Sequence, residues 1–157
     1  MRLKSCFFLA LFLLIGQSAG AGSDPVAHLL ARDAAPAGVV FEIVSGDADY
    51  LETTLPVAHD AARRLRERFP GLDVVIVTHG REQFALLSRE ADASPQVHAK
   101  VRSLVADDVK VHVCGTYAGW RGHTPEDFPA YVDVAEAGPA QINDYRALGY
   151  ELVLLDP

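Results

Sequence analysis

The stretch that decides the fold reads Val109-Lys110-Val111-His112-Val113-Cys114-Gly115. A short β-branched run closed by glycine is typical of a buried strand, so we predict a strand over residues 109–113 that delivers Cys114 at its carboxyl end. Comparable apolar runs predict four more strands, at residues 39–44, 72–78, 132–135 and 150–155.

Segments with helical spacing separate these runs. Apolar residues at three- and four-residue intervals predict an amphipathic helix over residues 51–69, with Pro56 in its first two turns. Further helical segments are predicted at residues 81–91, from Ser94-Pro95, as a turn at 124–127, and from Gly138-Pro139 to Gly149, whereas residues 117–123 read as a Gly-rich loop. Strands separated by helices imply right-handed crossovers. The predicted class is three-layer α/β/α, with a mainly parallel five-stranded sheet covered on both faces.

Composition excludes several classes of protein. The chain has 157 residues, 14 Lys and Arg against 21 Asp and Glu, and a formal charge of −7. Half of the residues are apolar and 22% are charged, which indicates one globular domain and not a disordered chain. The acidic balance argues against a basic surface for nucleic acid or anionic lipid. Two cysteines are too few for a disulfide scaffold.

The first 21 residues are predicted to be a signal peptide. Arg2 and Lys4 precede an apolar run over residues 7–15, and Ala19-Gly20-Ala21 is a small-residue cleavage site. The run is too short to span a bilayer. We therefore expect a periplasmic protein, with an irregular lead-in at residues 22–38 containing a short helix, and an α/β domain at 39–157.

Cleavage of the signal peptide would change the net charge and the number of cysteines. The signal removes two cations and no acid, so the charge changes from −7 to −9, and Cys6 leaves with it. Cys114 is then the single cysteine of an exported chain, which excludes an internal disulfide and calls for another explanation of the thiol.

Reactive groups in parallel sheets collect beyond the carboxyl ends of the strands. Gly46, His79 and Cys114 each follow one of the first three predicted strands, so this shared edge is the predicted site. A thiolate is a nucleophile and can carry a second sulfur atom as a persulfide. The alternative is that Cys114 is buried as a small apolar residue, as free cysteines often are.

The ordered set of motifs resembles the DsrE/DsrF-like family, which includes the TusBCD and YchN-like proteins. The matching segments are residues 39–44, 77–80, 109–115, 125–128, 137–142 and 148–150. The resemblance implies a parallel five-stranded sheet between helices and assembly into homotrimers or hexamers. It also implies a cysteine that accepts and passes on persulfide sulfur. Cys114 matches the cysteine that ends the third strand in YchN-like members, although Thr116-Tyr117 stand where many relatives have Asn-Ser or Asn-Thr.

The histidines allow a second interpretation of the same edge. His79 can act as a base toward Cys114, or its ring can simply bond the backbone of the turn. His112 and Cys114 lie two apart on a strand and share one face. With His79 or His123 they can form an N/S site for copper or zinc.

The segment after Cys114 supplies the remaining candidates. Arg121 suits an oxyanion such as thiosulfate. Tyr117 and Trp120 can line a pocket or a subunit interface. The predicted substrate-binding residues are Gly46, Gly115, Thr116 and Arg121.

These observations predict an exported, homo-oligomeric DsrE-like protein that handles sulfur through Cys114, in sulfur relay or as an accessory to sulfur oxidation. We expect a sulfur donor or acceptor protein, or a small sulfur species, as its partner. No cofactor, resident metal, nucleic acid or membrane partner is predicted. A metal-binding module and a non-catalytic oligomeric interaction protein stay open as alternatives.

Overall fold

A computed structural model describes residues 24–156 of the chain. Within them one sheet contains β1 (Gly38–Ile43), β2 (Val74–Thr78), β3 (Lys110–Cys114), β4 (Asp133–Ala135) and β5 (Tyr150–Leu154). Their order is β4-β3-β2-β1-β5, and every pairing is parallel. The predicted five-stranded α/β sheet is confirmed. The predicted signal peptide, residues 1–21, lies outside the described residues.

Five α-helices and three 3₁₀ segments accompany the sheet in this part of the chain. The α-helices are α1 (Ala27–Leu30), α2 (Tyr50–Arg68), α3 (Pro95–Ala106), α4 (Gly115–Trp120) and α5 (Gly138–Ala147). The 3₁₀ segments are Arg81–Leu86, Ser88–Glu90 and Pro125–Asp127. None of the helices between residues 24 and 156 combines the length and the apolarity that crossing a bilayer requires.

The strand order explains why the two faces of the sheet are covered unequally. From β1 to β4 each strand is added on the same side of the one before it, and right-handed crossovers then place α2 and α3 on one face. The connection from β4 to β5 runs back across the sheet, so the same handedness places α5 on the opposite face. We call these the first face and the second face.

The first face carries the main hydrophobic core. Leucines of α2 and the apolar side of α3 pack there on the inward residues of the strands, and these side chains are almost fully buried. The side chains include Phe41, Ile43, Leu51, Leu55, Leu65, Ile76, Val101, Leu104, Val111 and Val113. Burial of this apolar area is the main favourable term in folding.

The second face has a smaller core beneath α5. Ile142 and Tyr145 of α5 pack on three strand valines, Val40, Val75 and Val77. His112 is 8% exposed on the same face, and its Nε2 lies 2.9 Å from the Tyr145 hydroxyl oxygen. Beyond α5 this face opens to solvent, since Leu154 of β5 is 56% exposed.

Two segments differ from the local predictions. The helix predicted at residues 81–91 is a pair of 3₁₀ segments, because Leu87 between them is extended and the side chains of Glu82 and Gln83 turn inward to bond the backbone. The loop predicted at residues 117–123 begins as helix α4, because contacts from outside the segment fix its first turn despite the glycines. The lead-in contains the short α1, where Leu29 is fully buried.

The buried His112 should make stability fall in mild acid. Desolvation by burial lowers the pKa of His112 from its ordinary value of 6.5, against the opposing effect of Asp133. The unfolded chain therefore binds a proton that the folded chain resists as pH falls below 6.5, and stability declines by up to about 1.4 kcal/mol per pH unit for one proton.

We expect His112→Gln to flatten this decline, because the glutamine amide is not protonated in this range. Urea unfolding at pH 7.5 and at pH 5 measures the slope, and exposed His28→Gln is the matched control. Equal slopes in both variants would assign the acid sensitivity to another group.

Candidate functional site

The site lies where β1, β2 and β3 end on the second face. Thr78 pairs with Val113, so the next residues, His79 and Cys114, follow side by side on neighbouring strands. Glu42 pairs with Val77, which places it diagonally next to His79 on the same face. The strand register therefore places His79 beside Cys114, as predicted from the strand ends, with Glu42 diagonally next to His79. We call these three residues the reactive row.

The first turn of α5 packs against this row. A Cβ atom built on Gly138 would lie 2.5 Å from the Cβ of His79 and 3.4 Å from the Cβ of Cys114. Glycine is required there because the first of these distances is shorter than van der Waals contact allows. The start of α5 thus covers the row and leaves Cys114 only 4% exposed.

Cys114 is held at its backbone and at its sulfur. Its N–H donates to Oε1 of Gln83 at 2.8 Å, and its carbonyl oxygen accepts from Nε2 of the same side chain at 3.2 Å. The sulfur accepts a hydrogen bond from the Tyr117 N–H in the first turn of α4, with N and Sγ 3.4 Å apart. This contact fixes the sulfur relative to the first turn of α4.

His79 is oriented by an acid. Its Nε2 lies 2.8 Å from Oε1 of Glu42, and the two side chains are 14% and 22% exposed. The ring therefore bonds a carboxylate and not the backbone of the turn. Among the described residues no hydrogen bond joins His79 to the Cys114 sulfur.

A buried carboxylate fixes the turn that carries His79. Glu82 is fully buried and accepts from the Ser45 N–H at 2.8 Å, the Thr78 hydroxyl at 2.6 Å and the Gly80 N–H at 2.8 Å. Gly80 has no room for a side chain, since its Cβ would collide with the Ser45 carbonyl oxygen. Glu82 thereby ties the end of β1 to the end of β2.

The predicted substrate-binding residues each have a different setting. Gly115 makes a close approach, with a built Cβ 2.9 Å from the carbonyl oxygen of Ala135. The Thr116 hydroxyl donates to the Glu136 carbonyl at 2.7 Å, so its donor is used within the fold. Gly46 lies exposed in the loop after β1, and a Cβ there would meet no atom within 4 Å. These positions stay predictions as substrate contacts.

Arg121 lies in a surface cleft that does not include Cys114. It donates from Nη2 to the Tyr117 hydroxyl at 3.1 Å and stacks over that ring at 5.3 Å. With Arg81, Phe84 and His123 it lines this cleft of about 630 Å³. The Tyr117 ring, 5.4 Å from the Phe84 ring, links the cleft to α4, the helix whose N-cap is Cys114. The neighbouring Trp120 is 78% exposed.

The histidines proposed as metal ligands have other partners. His112 bonds Tyr145, His79 bonds Glu42, and His123 has Nδ1 3.6 Å from Oδ2 of Asp127. Over residues 24–156 no three His, Cys, Asp or Glu side chains come together in a geometry that could hold a metal ion. The second interpretation thus has no geometric support in this region.

Sequence reasoning missed three residues of the site, namely Glu42, Glu82 and Gln83. Glu42 gave a weak signal as a lone acid inside a buried apolar strand. Glu82 and Gln83 gave none, because polar residues in a segment with helical spacing are ordinarily solvated.

Solved structures share this architecture, among them MTH1491 and YchN. MTH1491 from Methanobacterium thermoautotrophicum, a protein of unknown function, has a TM-score of 0.60 at 19% identity, over 74% of this chain and 96% of its own. YchN from E. coli has a TM-score of 0.57 at 16% identity, over 75% of this chain and 99% of its own. The chain has a YchN-like fold. This confirms the DsrE/DsrF-like architecture that the motifs implied. No protein-family model and no curated protein matches the chain.

The close approach of α5 gives a test of the site's packing in this YchN-like fold. We expect Gly138→Ala to lower the free energy of unfolding by about 1–3 kcal/mol, because the added methyl group must displace α5 or His79. Gly119→Ala in α4 is the matched control, since nothing lies within 4 Å of a Cβ there. It should be neutral or stabilise by up to about 1 kcal/mol. Urea unfolding measures the change in the free energy of unfolding for both variants. Equal changes would mean that α5 can move to accommodate the methyl group without loss of stability.

Proposed function

We propose that this chain is an exported YchN-like protein that handles sulfur through Cys114, as thiolate or persulfide, in sulfur relay or as an accessory to sulfur oxidation. The observation that carries the proposal is the placement of Cys114 at the end of β3, with an N–H on its sulfur and the Glu42–His79 pair beside it. The fold supports the same class of function through the resemblance to sulfur-relay proteins.

The proposed transfer is a thiol–persulfide exchange. The Cys114 thiolate attacks the outer sulfur of a donor persulfide R–S–SH, one S–S bond forms as the donor's S–S bond breaks, and the donor leaves as the thiolate R–S⁻. No net oxidation occurs, because sulfane sulfur only changes its carrier. Attack by an acceptor thiolate on the outer sulfur of Cys114 persulfide returns the protein to its starting state.

His79 is the proposed proton acceptor for the Cys114 thiol. If Nε2 donates to Glu42, the neutral ring keeps its lone pair on Nδ1, and the carboxylate stabilises the imidazolium formed on protonation. The Tyr117 N–H then compensates the negative sulfur that remains.

The partner is proposed to be a sulfur donor or acceptor protein, or a small sulfur species. Burial of Cys114 to 4% exposure favours small or slender donors over broad surfaces. Gly46, Gly115, Thr116 and Arg121 stay the proposed substrate contacts, with Arg121 binding an anion in its own cleft.

Persulfide loading tests the proposal. The mature chain, residues 22–157, incubated with an organic persulfide donor, should gain the mass of one sulfur atom, and Cys114→Ser should gain none. His79→Gln should slow loading by about 10²-fold, the lower range for general base catalysis, while exposed His28→Gln should load at the wild-type rate. Intact mass spectrometry measures each rate. No added sulfur on a wild-type protein whose thiol alkylates normally would refute the proposal, whereas failure to alkylate would favour the inert structural role.

Export and assembly form a separate prediction. The signal-like residues 1–21 support a periplasmic location. The exposed side chains of Leu148 and Leu154 are available for association, and the homotrimer or homohexamer follows from the family resemblance. Chain isolated from the periplasmic fraction should begin at Gly22, and light scattering should give a mass of three or six protomers. Full-length chain in the cytoplasmic fraction, or a monomer at micromolar concentration, would contradict the respective part.

A further inference from the structure

We propose that Gln83 is a positioning residue for Cys114. By holding the Cys114 backbone, it keeps Sγ of Cys114 in hydrogen-bond contact with the Tyr117 N–H. The inference deepens the proposed function, and rests on it for the identity of the reaction. Gln83 is fully buried in the 3₁₀ segment after β2, and its side chain bonds both main-chain groups of Cys114.

Gln83 takes the place of a missing strand residue. The last residue of β2, Thr78, pairs with Val113, and the chain then turns away through Gly80. The main chain of Cys114 therefore extends past the end of β2. The Gln83 amide supplies one acceptor and one donor there, at 2.8 and 3.2 Å, as a neighbouring strand would.

This bond pair bears directly on the sulfur. Cys114 is the N-cap residue of α4, so the orientation of its peptide sets the direction in which the helix starts. The first turn of that helix holds the Tyr117 N–H against Sγ. The next residue after Gln83, Phe84, packs on the Tyr117 ring at 5.4 Å. Residues 83 and 84 thus hold both ends of the N–H···S contact.

The chemistry of the position calls for a neutral amide of this length. Glutamate would keep the acceptor for the Cys114 N–H but set a carboxylate oxygen against the Cys114 carbonyl and bring charge near the sulfur. Methionine would fill a similar volume with neither bond. A purely structural role predicts loss of stability alone, whereas a positioning role also predicts a change in how readily the thiol ionises.

The pH profile of Cys114 alkylation by iodoacetamide separates the two roles. Opening of the site raises the rate at every pH, while loss of the N–H···S contact moves the midpoint of the profile upward. We expect Gln83→Met and Gln83→Glu to raise the midpoint by about 0.5–1 pH unit, the equivalent of one hydrogen bond. Exposed Gln96→Met and Gln96→Glu in α3 should keep the wild-type midpoint. Glu42, His79 and His112, which share the second face with Cys114, and the buried Glu82 next to Gln83 are unchanged in all four variants.

A folded Gln83 variant with the wild-type midpoint would overturn the inference, and so would loss of folding in both Gln83 variants, since Gln83 would then act on stability alone. Circular dichroism reports folding. The alkylation profile needs no sulfur donor, so a shifted midpoint in a protein that takes up no sulfur would refute the proposed function and leave the role of Gln83 intact. Persulfide loading of the wild type, together with an unshifted alkylation midpoint in the Gln83 variants, would support the proposed function and refute the positioning role of Gln83.

Discussion

The carboxyl edge of the sheet depends on two adjacent buried side chains that satisfy the backbone where the strands separate. A parallel sheet leaves unpaired N–H and C=O groups at this edge, and each such group costs about 1–3 kcal/mol if buried without a partner. Glu82 accepts two of these N–H groups and a hydroxyl at the ends of β1 and β2, and Gln83 bonds the last residue of β3. Because these groups are paired, the loops of three strands can pack closely under α5 and hold reactive side chains in place.

The strands and the general location of the site could be predicted from sequence, because the patterns that define them lie within short contiguous segments. Strands β1, β2 and β3 are runs of β-branched residues, and a fully buried parallel strand has almost no polar alternation to obscure it. Since parallel strands end at one edge, the residues after them must meet there, which brought His79 and Cys114 together. The sequence did not predict the roles of Glu82 and Gln83, because these roles depend on partners brought near by the fold: Ser45 after β1 for Glu82, and the backbone of Cys114 in β3 for Gln83. Helix α4 was not predicted from the sequence because its glycines argue against a helix. Its first turn is instead fixed by hydrogen bonds to Glu136 and Cys114.

Because the two sheet faces are covered unequally, the first face contributes most of the hydrophobic core and the second face carries the candidate site. Helices α2 and α3 bury the first face over a continuous core, and this face carries the large apolar side chains. The second face has the smaller cluster beneath α5, and its polar residues, among them Glu42, His79, His112 and Cys114, lie there. Changes on the first face should therefore act on the whole fold. Changes on the second face can alter the site while most of the core stays in place.

Gly138 also has a genetic consequence. Every single-base change that alters the amino acid at a glycine codon introduces a side chain or a stop, and here even a methyl group would meet the Cβ of His79 at 2.5 Å. The codon for Gly138, which lies outside the row of Glu42, His79 and Cys114, thus has no mild missense change available to it. Random mutagenesis of this chain should therefore recover position 138 as sharply intolerant, although its residue contributes no functional group.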